Sequence, residues 1–258
     1  MRDILDGVAD GRLDPAEAEA QIRGYTTTSA GRFDATRETR SGVPEAILAS
    51  KKTTDEIHAL AGTSLETTDR AIVTRLDESA SEELRNRLEE EFPNATVAYH
   101  DRARTLVVHT AEFEPRQLEA SVGVVTGGTS DAMPAGEATV LLREMGASVD
   151  RIDDIGVASL ARLLDVLDSL REHDVLVVAA GREGALPTVV AGLVDVPVIA
   201  LPVSAGYGHG GDGEAALSGL LQSCTALTVV NIDAGFTAGV QAGLIARSLD
   251  RARAENET

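Results

Sequence analysis

The sequence predicts an α/β fold: a five-stranded, doubly wound parallel sheet preceded by a smaller α+β domain. From residue 121 onward, short β-branched runs alternate with glycine-, serine- or proline-containing loops and Ala/Leu-rich helical stretches. Near-continuous apolar strands in such an alternation are typical of a parallel sheet covered by helices on both faces. The length of 258 residues agrees, since it corresponds to about two domains. The predicted strands are residues 121–126, 147–152, 175–180, 197–202 and 227–232, the second being the weakest.

The N-terminal part, residues 1–118, is predicted to be the smaller domain, and the sheet domain spans 119–250 before a polar tail at 251–258. Two short helices are expected to open the chain. The second begins at Asp14-Pro15-Ala16-Glu17, which supplies an N-cap acid, a proline at the first helical position and a glutamate three residues after the cap. The further predicted elements are an extended or irregular segment (24–54), a strand (70–76), a helix (80–91) and a hairpin (95–100 with 105–110).

The charge balance excludes several classes of partner. The chain has 42 acidic and 23 basic side chains, for a formal net charge of −19. Such a surface repels phosphate backbones and anionic lipid faces, so neither nucleic acid nor a membrane is expected as a partner. Lys51 and Lys52 are the only lysines. An acidic, lysine-poor chain is typical of a protein adapted to concentrated salt, where a Debye length of about 3 Å at 1 M screens its self-repulsion.

Cysteine usage and the N-terminus bear on the compartment. The single cysteine, Cys224, excludes an intramolecular disulfide and a metal site with several cysteines. Residues 1–6 hold acids where a signal peptide has its apolar core, and no run reaches the roughly 18 apolar residues of a membrane span. We therefore expect a soluble, cytoplasmic protein.

The loops that follow the predicted strands are the places to look for a site, because ligands of doubly wound folds lie beyond the carboxyl ends of the strands. The first strand is followed by the loop 126–131, which contains Gly127 and Gly128. Paired glycines allow a close approach to a phosphate, which the amides of a following helix also attract. Ser130 and Asp131 are alternatively simple N-caps of that helix. The spacing leaves both interpretations open.

The third and fourth strands are followed by two further polar loops. Glu183 lies between glycines at the end of the third strand, where it is either a general base or an acid favoured by a helix dipole. The fourth loop, 202–211, has four glycines, so it is expected either to be mobile, as a lid is, or to be closely approached by a ligand. Its His209 is interpreted as a solvated loop histidine. The fifth strand ends in the polar run 231–236.

Two other features have a structural and a functional interpretation. From its sequence context alone, Cys224 is expected to be a buried small hydrophobe, because reactivity requires an accessible, electropositive setting. Arg37 and Arg40 are three residues apart, so a helical turn would place both on one face near other cations of the segment 32–52. They are either a site for a phosphorylated ligand or surface charges that pair with acids such as Asp34 and Glu38.

Taken together, these motifs resemble the LarB family over residues 30 to 245. Several motifs in the right order are more specific than any one of them. The sheet domain is also similar to aminoimidazole ribonucleotide (AIR) carboxylases, the PurE-like enzymes of purine synthesis. The matching motifs are Arg32-Phe33-Asp34, Arg37, Arg40, Gly42, Pro44-Glu45 and Lys52-Thr53, followed by Gly128-Thr129-Ser130-Asp131, Glu183-Gly184-Ala185-Leu186-Pro187, Gly206-Tyr207-Gly208, Ser223-Cys224 and Val230-Asn231-Ile232-Asp233.

The resemblance implies a carboxylase/hydrolase of nickel-pincer nucleotide synthesis with a flavodoxin-like, AIR-carboxylase-like sheet domain. Such an enzyme carboxylates the pyridinium ring of nicotinic acid adenine dinucleotide with carbon dioxide or bicarbonate. It then cleaves the phosphoanhydride, releasing AMP and pyridinium-3,5-dicarboxylate mononucleotide. The resemblance also implies Mg²⁺, with ligands that remain unassigned, and a homo-octamer.

The resemblance implies roles for individual residues as well. Cys224 is the nucleophile that adds to the ring, and Glu183 is the base that later removes the ring proton. Arg37, Arg40 and Lys52 neutralise the pyrophosphate, and the 127–131 loop holds the nucleotide. The complete set of expected substrate-binding residues is Gly128, Thr129, Ser130, Asp131, Arg37, Arg40, Lys52, Gly206, Tyr207, Asn231 and Asp233.

The chain departs from the family pattern at two places and leaves two alternatives open. Ala161 stands where a histidine is expected, which removes any general acid there, and the loop 209–212 also differs. One alternative is AIR carboxylation in purine synthesis, which needs neither Cys224 nor the N-terminal cations. The other is a non-catalytic dinucleotide-binding module, which predicts binding without turnover.

Overall fold

A computed structural model of the chain describes residues 2–12, 15, 18, 22, 24–28 and 30–256. The chain divides into two compact units between Glu114 and Pro115. The helix start predicted at Asp14-Pro15-Ala16-Glu17 lies outside the described residues except for Pro15. No helix among the described residues is long and apolar enough to cross a lipid bilayer.

The first unit contains a four-stranded mixed sheet and a separate small hairpin. The sheet order is β3-β4-β6-β5, with β3 parallel to β4 and the other neighbours antiparallel. The strand, the helix and the hairpin predicted between residues 70 and 110 are confirmed. The elements in chain order are α1 (Arg2–Ala9), β1 (Thr26–Thr28), β2 (Gly31–Phe33), α2 (Arg37–Ser41), β3 (Ile47–Leu48), α3 (Thr54–Thr68), β4 (Arg70–Thr74), α4 (Glu78–Glu91), β5 (Thr96–His100) and β6 (Thr105–His109).

Local sequence explains where the helices of this unit begin and which side they bury. Helix α3 starts at a capping box, in which Thr53 Oγ1 accepts the Glu56 N–H at 3.2 Å and Glu56 Oε2 accepts the Thr53 N–H at 2.8 Å. Leu84 and Leu88, one turn apart on α4, are fully buried in the core of this unit. The segment 24–54 is more ordered than expected, since it contains the β1–β2 hairpin and one short helix.

The second unit is the predicted five-stranded parallel sheet. Its strand order, β11-β10-β9-β7-β8, is parallel throughout and is the order of flavodoxin-like sheets. The predicted fold class is therefore confirmed. The elements are β7 (Ser121–Thr126), α5 (Ala132–Glu144), β8 (Ser148–Ile152), α6 (Leu160–Asp165), α7 (Leu167–Arg171), β9 (Val175–Ala180), α8 (Ala185–Ala191), β10 (Val198–Pro202), α9 (Glu214–Leu221), β11 (Thr228–Val229) and α10 (Gly235–Asn256).

Burial of the sheet on both faces explains its apolar strands. One face packs on α5 and α10, where Ala138 and Ala242 belong to the core. The other face packs on α6, α7 and α8 through Leu163, Leu170 and Leu186. All six residues of β9, the middle strand, are buried. At one edge of the sheet β11 is shorter than the predicted 227–232, whereas β8 at the other edge has five residues.

Helix α10 packs on α5 through glycines spaced one turn apart. A Cβ at Gly239 would lie 2.9 Å from the carbonyl oxygen of Ala138 and 3.0 Å from its Cα. A Cβ at Gly243 would also collide, but with the flexible end of Met145, whose Cε would be 2.6 Å away. Small residues on this face therefore let the two helix backbones approach closely.

Polar contacts fix both ends of α10. At its start the buried Glu137 accepts the Phe236 N–H at 3.0 Å through Oε2, a favourable position for a carboxylate near a helix N-terminus. At its other end Arg253 forms an ion pair with Asp174 at 2.5 Å. The hydrogen bond from Arg253 lowers the pKa of the Asp174 carboxyl below its usual value. Residues 251–256, expected to be a tail, continue this helix.

Replacing Gly239 with alanine tests the close approach of α10 and α5. A glycine-to-alanine change inside a helix normally stabilises a protein by about 1 kcal/mol. Here the added methyl meets the Ala138 backbone, so we expect Gly239→Ala to lower the free energy of unfolding by about 1–3 kcal/mol. Gly243→Ala on the same helix is the matched control. It should have a smaller effect, because the Met145 side chain can rotate away. Urea denaturation of both variants measures the difference, and equal effects would contradict the proposed contact.

Candidate functional site

A cavity of about 480 Å³ lies where the strands of the parallel sheet end. Loops after β7, β8, β9 and β10 contribute to its wall. Its position agrees with the prediction that ligands bind beyond the carboxyl ends of the strands, and its volume is in the usual range for small-molecule sites. The predicted site residues that line it are Gly128, Ser130, Asp131, Glu183, Gly206 and Tyr207.

Glycines bring the loops of the cavity into backbone contact. A Cβ at Gly156 would lie 2.5 Å from the Gly127 carbonyl oxygen, and one at Gly181 would lie 2.3 Å from the Ala205 carbonyl oxygen. No larger residue fits at these positions without moving a neighbouring main chain. The spacing of the loops around the cavity therefore depends on the absence of side chains there.

Asp131 is the buried carboxylate of the cavity. Its side chain is 3% exposed, and its Oδ2 accepts the Gly128 N–H at 2.8 Å. Burial raises the pKa of Asp131 above its ordinary value, and backbone N–H groups, that of Gly128 foremost, partly oppose the shift. The carboxylate makes no capping hydrogen bond to α5. Asp131 thus occupies the N-cap position of α5, as one of the two interpretations predicted, but its carboxylate bonds back to Gly128 instead of capping the helix.

In the glycine loop, residues 126–131, the backbone N–H groups of the two glycines are not free to bind a phosphate. The Gly127 N–H donates to the Ala179 carbonyl at 3.1 Å, and the Gly128 N–H donates to Asp131. Both amides are thus already hydrogen-bonded within the chain. The two glycines serve the close packing of the loop, and they leave phosphate binding to other groups. Thr129, in the same loop, is exposed and does not line the cavity.

Glu183 presents an available carboxylate to the cavity. It precedes α8, whose N-cap position is occupied by Gly184 in a left-handed conformation with φ +67°. Among the described residues the Glu183 side chain has no hydrogen-bond or ion-pair partner, and it is exposed at the cavity wall. Its position directly before the N-cap of α8 also fits the alternative interpretation, an acid favoured by the helix dipole. Geometrically, Glu183 can accept a proton from a bound ligand.

The cavity is also lined by two arginines that were not among the predicted site residues. Arg162 pairs with Asp154 at 2.9 Å. Arg182 donates to the Tyr207 hydroxyl at 3.0 Å, and its guanidinium carbon lies 4.7 Å from the centre of that ring. The sequence feature that could have identified them is a cation in the segment after a predicted strand, in a chain that is otherwise strongly acidic. Ala161, where the family pattern has a histidine, lies on α6 and does not line the cavity.

Cys224 lies away from this cavity. It is in the turn between α9 and β11, at the edge where the strands begin, whereas the cavity is at the edge where they end. Its neighbour Ser223 accepts a hydrogen bond from Thr188, in the middle of α8, at 3.0 Å. The thiol is exposed. The expectation of a buried small hydrophobe was therefore wrong, because the turn faces solvent instead of the apolar core.

Asn231 and Asp233 follow β11 and do not line the cavity either. Asp233 Oδ1 accepts the Ser204 N–H at 2.9 Å, and the Asp233 N–H donates to the Pro202 carbonyl at the same distance. Asp233 thereby ties the end of β11 to the loop that contains Gly206 and Tyr207. In this chain its observed contacts position that loop.

The predicted N-terminal cations belong to the first unit, where two of them are paired with acids. Arg37 binds Glu45 at 2.7 Å, and Arg40 binds Asp34 at 2.6 Å. The Arg40 hydrogen bond lowers the pKa of Asp34. The Lys52 ammonium donates to the Leu48 carbonyl at 2.9 Å. The interpretation of these cations as surface charges that pair with acids is thus confirmed for Arg40 and Asp34.

Glu38 was the other acid expected to pair with Arg37 or Arg40. It binds the buried Arg70 instead, at 2.5 Å. The reason is the fold of the first unit, which brings Arg70 at the start of β4 next to α2.

Comparison with known proteins gives matches to both units. Residues 25–111 match the model of the LarB/PurE-like N-terminal domain, and residues 121–256 match the AIR carboxylase model. An uncharacterized protein of Methanocaldococcus jannaschii is 36% identical over 259 residues, covering 97% of this chain and 98% of that protein. The N5-carboxyaminoimidazole ribonucleotide mutase of the same organism is 30% identical over 136 residues, covering 52% of this chain and 80% of the mutase.

Solved structures with a partial likeness include PurE proteins of Treponema denticola. One PurE crystal structure is 19% identical with a TM-score of 0.41, covering 54% of this chain and 94% of that chain. A PurE2 variant is 21% identical with a TM-score of 0.40, covering 53% of this chain and 92% of that chain.

Asp131→Asn tests the buried carboxylate. The folded state holds the Asp131 proton more tightly than the unfolded state, so its contribution to stability is lost as pH rises from the ordinary pKa of 3.8 through the raised one. Asparagine keeps an acceptor for the Gly128 N–H and does not titrate. We therefore expect the free energy of unfolding of the variant, minus that of the wild type, to increase with pH over this window.

Urea denaturation at a series of pH values measures that difference. Asp195→Asn removes one exposed negative charge of the same unit and serves as the control. A difference that stays constant with pH for Asp131→Asn would contradict the assignment.

Proposed function

This chain belongs to the AIR carboxylase family, has a LarB/PurE-like N-terminal domain and is a carboxylase-type enzyme; we propose that it carboxylates the pyridinium ring of nicotinic acid adenine dinucleotide and hydrolyses its phosphoanhydride. The products are AMP and pyridinium-3,5-dicarboxylate mononucleotide. Carbon dioxide or bicarbonate supplies the carboxyl group. The observation that supports the proposal most strongly is the pairing of these two domains in one chain, with Glu183 at the strand-end cavity and without a hydrogen-bond or ion-pair partner among the described residues.

The chemistry requires a nucleophile and a base. A pyridinium ring is electron-poor and cannot attack carbon dioxide directly. Addition of the Cys224 thiolate beside the ring nitrogen forms a C–S bond and converts the ring to a neutral enamine with a nucleophilic carbon. That carbon attacks carbon dioxide and forms the new C–C bond. Glu183 then takes the hydrogen of the carboxylated carbon as a proton, and departure of the thiolate restores the aromatic ring.

The second half-reaction is the cleavage of the phosphoanhydride by water. Arg37, Arg40 and Lys52 are proposed to neutralise the charge that develops on the pyrophosphate. Because Arg37 and Arg40 already hold carboxylates at 2.7 and 2.6 Å, a bound pyrophosphate would compete with Glu45 and Asp34 for them. Thr129, Ser130 and Asp131 are proposed to contact the nucleotide portion.

Magnesium is implied by the family resemblance, but the residues described here do not provide a site of their own for it. They contain no group of three or more His, Cys, Asp or Glu side chains placed to hold a metal ion. The Asp131 carboxylate is already bonded to the Gly128 N–H. Magnesium usually binds through one or two carboxylates together with substrate phosphates. We assign no magnesium ligand in the protein, and no step depends on the ion.

A homo-oligomer, an octamer in the family, is part of the proposal. Glu183 lines the cavity at one edge of the sheet, and the exposed Cys224 lies at the other edge. If both residues act on one ring, the simplest arrangement takes Glu183 from one copy and Cys224 from a second copy. Closed symmetric assemblies repeat such a two-sided contact around the oligomer.

AIR carboxylation remains a second candidate, because one observation favours it. The cavity contains Glu183 and Asp131 but not Cys224, and purine carboxylation has no use for a cysteine. The similarity to the N5-carboxyaminoimidazole ribonucleotide mutase over 52% of the chain points the same way. This candidate predicts that Cys224→Ala retains full activity.

A mass-spectrometric product assay tests the proposed reaction. The protein is given nicotinic acid adenine dinucleotide, bicarbonate and magnesium in concentrated salt, because we expect its net charge of −19 to need screening. The wild type should release AMP and a mononucleotide heavier by one carboxyl group. Cys224→Ala should abolish the carboxylated product, and Glu183→Gln should reduce it by about 100-fold or more. Glu214→Gln, an exposed acid outside the cavity, should be unaffected.

The same assay run with aminoimidazole ribonucleotide separates the two candidates. Turnover of that substrate by both the wild type and Cys224→Ala would favour purine carboxylation. Binding of the dinucleotide without turnover would favour the non-catalytic module.

Mixing two inactive variants tests whether the site is shared between copies. Cys224→Ala retains Glu183, and Glu183→Gln retains Cys224. If the two residues meet across an interface, random mixed oligomers recover about a quarter of the wild-type sites. Co-expression of the two chains with different tags, followed by the product assay, measures the recovery. A mixture as inactive as its parents would mean that both residues act from one chain.

A further inference from the structure

The cavity contains a cation, Arg182, whose guanidinium contacts Tyr207 and is attracted by the charge of Glu183 without forming an ion pair with it. Among the described residues Arg182 has no carboxylate within ion-pair distance, whereas Arg162, the other arginine of the cavity, pairs with Asp154 at 2.9 Å. A guanidinium has five N–H donors. The hydrogen bond to Tyr207 uses one of them, so a planar edge is left for a ligand.

Tyr207 and the main chain hold that guanidinium in place. The ring of Tyr207 is 79% exposed, although it lies under the Arg182 guanidinium at 4.7 Å. The Arg182 N–H donates to the Ala205 carbonyl at 3.3 Å, and the residue has φ +48°, a left-handed conformation uncommon for a side chain other than glycine. The arginine is therefore fixed both at its backbone and at its tip. A guanidinium held in this way loses less freedom when it binds an anion.

Arg182 is next to the proposed base. Glu183 and Arg182 are consecutive residues that both line the cavity. If Glu183 removes a hydrogen from a carbon of the pyridinium ring, the ring must lie against this short stretch of chain. A substituent on the same ring is then within reach of Arg182. The ring of nicotinic acid carries a carboxylate, and an arginine binds a carboxylate with two parallel hydrogen bonds.

We propose that Arg182, positioned by Tyr207, binds the carboxylate on the pyridinium ring and so selects nicotinic acid dinucleotides over nicotinamide dinucleotides. This inference rests on the proposed function, because it needs a pyridinium ring at Glu183. The amide of nicotinamide carries no charge and offers one acceptor oxygen, so it gains far less from a guanidinium. Arg182 is thus a specificity-determining residue for the substrate.

Calorimetric titration of the full chain with two dinucleotides tests the proposal. Nicotinic acid adenine dinucleotide and nicotinamide adenine dinucleotide differ at the ring substituent alone. A Cys224→Ala background prevents covalent addition. We expect this parent to bind the acid at least about tenfold more tightly than the amide, as charge-assisted hydrogen bonds imply. Arg182→Gln should remove the preference and leave the affinity for the amide nearly unchanged.

Three further variants sharpen the result. Arg182→Lys keeps the charge without the planar fork and should keep part of the preference. Tyr207→Phe keeps the ring under the guanidinium but removes the hydroxyl acceptor, so it should reduce the preference less than Arg182→Gln. Arg171→Gln, on α7 and outside the cavity, should change nothing. Glutamine and lysine meet the left-handed backbone at about the cost of arginine, so these variants are expected to fold.

Each outcome separates this inference from the proposed function. If Arg182→Gln weakens both ligands equally, Arg182 binds a part that they share, such as a phosphate, and the inference fails while the proposed function stands. A preference that survives in Arg182→Gln also overturns it. If the parent binds neither dinucleotide, the proposed function and the inference fail together.

Discussion

The parallel direction of all five strands in the second unit is the constraint on which the candidate site depends. Parallel strands end at one edge, so the loops after β7, β8, β9 and β10 converge there and enclose the cavity. Helices on both faces of the sheet bury its strands, and the resulting rigidity holds those loops in place. Asp233 adds the loop after β11 to this arrangement through its bond to the Ser204 N–H.

The two acids of the cavity are suited to different tasks because their surroundings differ. Asp131 is buried, its hydrogen bond to a backbone N–H shapes the glycine loop, and its pKa is raised by burial. Glu183 is exposed at the wall and has no partner among the described residues. A carboxylate that supports structure has its oxygens occupied, whereas one that accepts a proton needs an accessible oxygen. This contrast favours Glu183 as the reacting acid.

The position of Cys224 connects the chemistry to assembly. Helix α9 carries the chain from the edge of the sheet where the cavity lies back to the edge where β11 begins, and Cys224 follows it. A thiol at that edge is exposed in one copy. The proposed reaction therefore takes Cys224 from a second copy of the chain. Purine carboxylation does not use the thiol. The placement of one side chain therefore separates two reactions that share a fold.

The sequence by itself determined most of the secondary-structure elements and the fold class. Apolar runs predict the parallel strands, and alternation with turn residues predicts the hairpin before residue 110. The position of the loops with Asp131 and Glu183, at the strand ends that form the cavity, also follows from the sequence. These features depend on local periodicity and on the rule that parallel strands end together. Contacts between residues far apart in the chain were decided by the tertiary structure alone. Arg182 meets Tyr207 across 25 positions and Arg70 meets Glu38 across 32, while Cys224 faces solvent. No local pattern specifies such partners, because they depend on how distant segments pack.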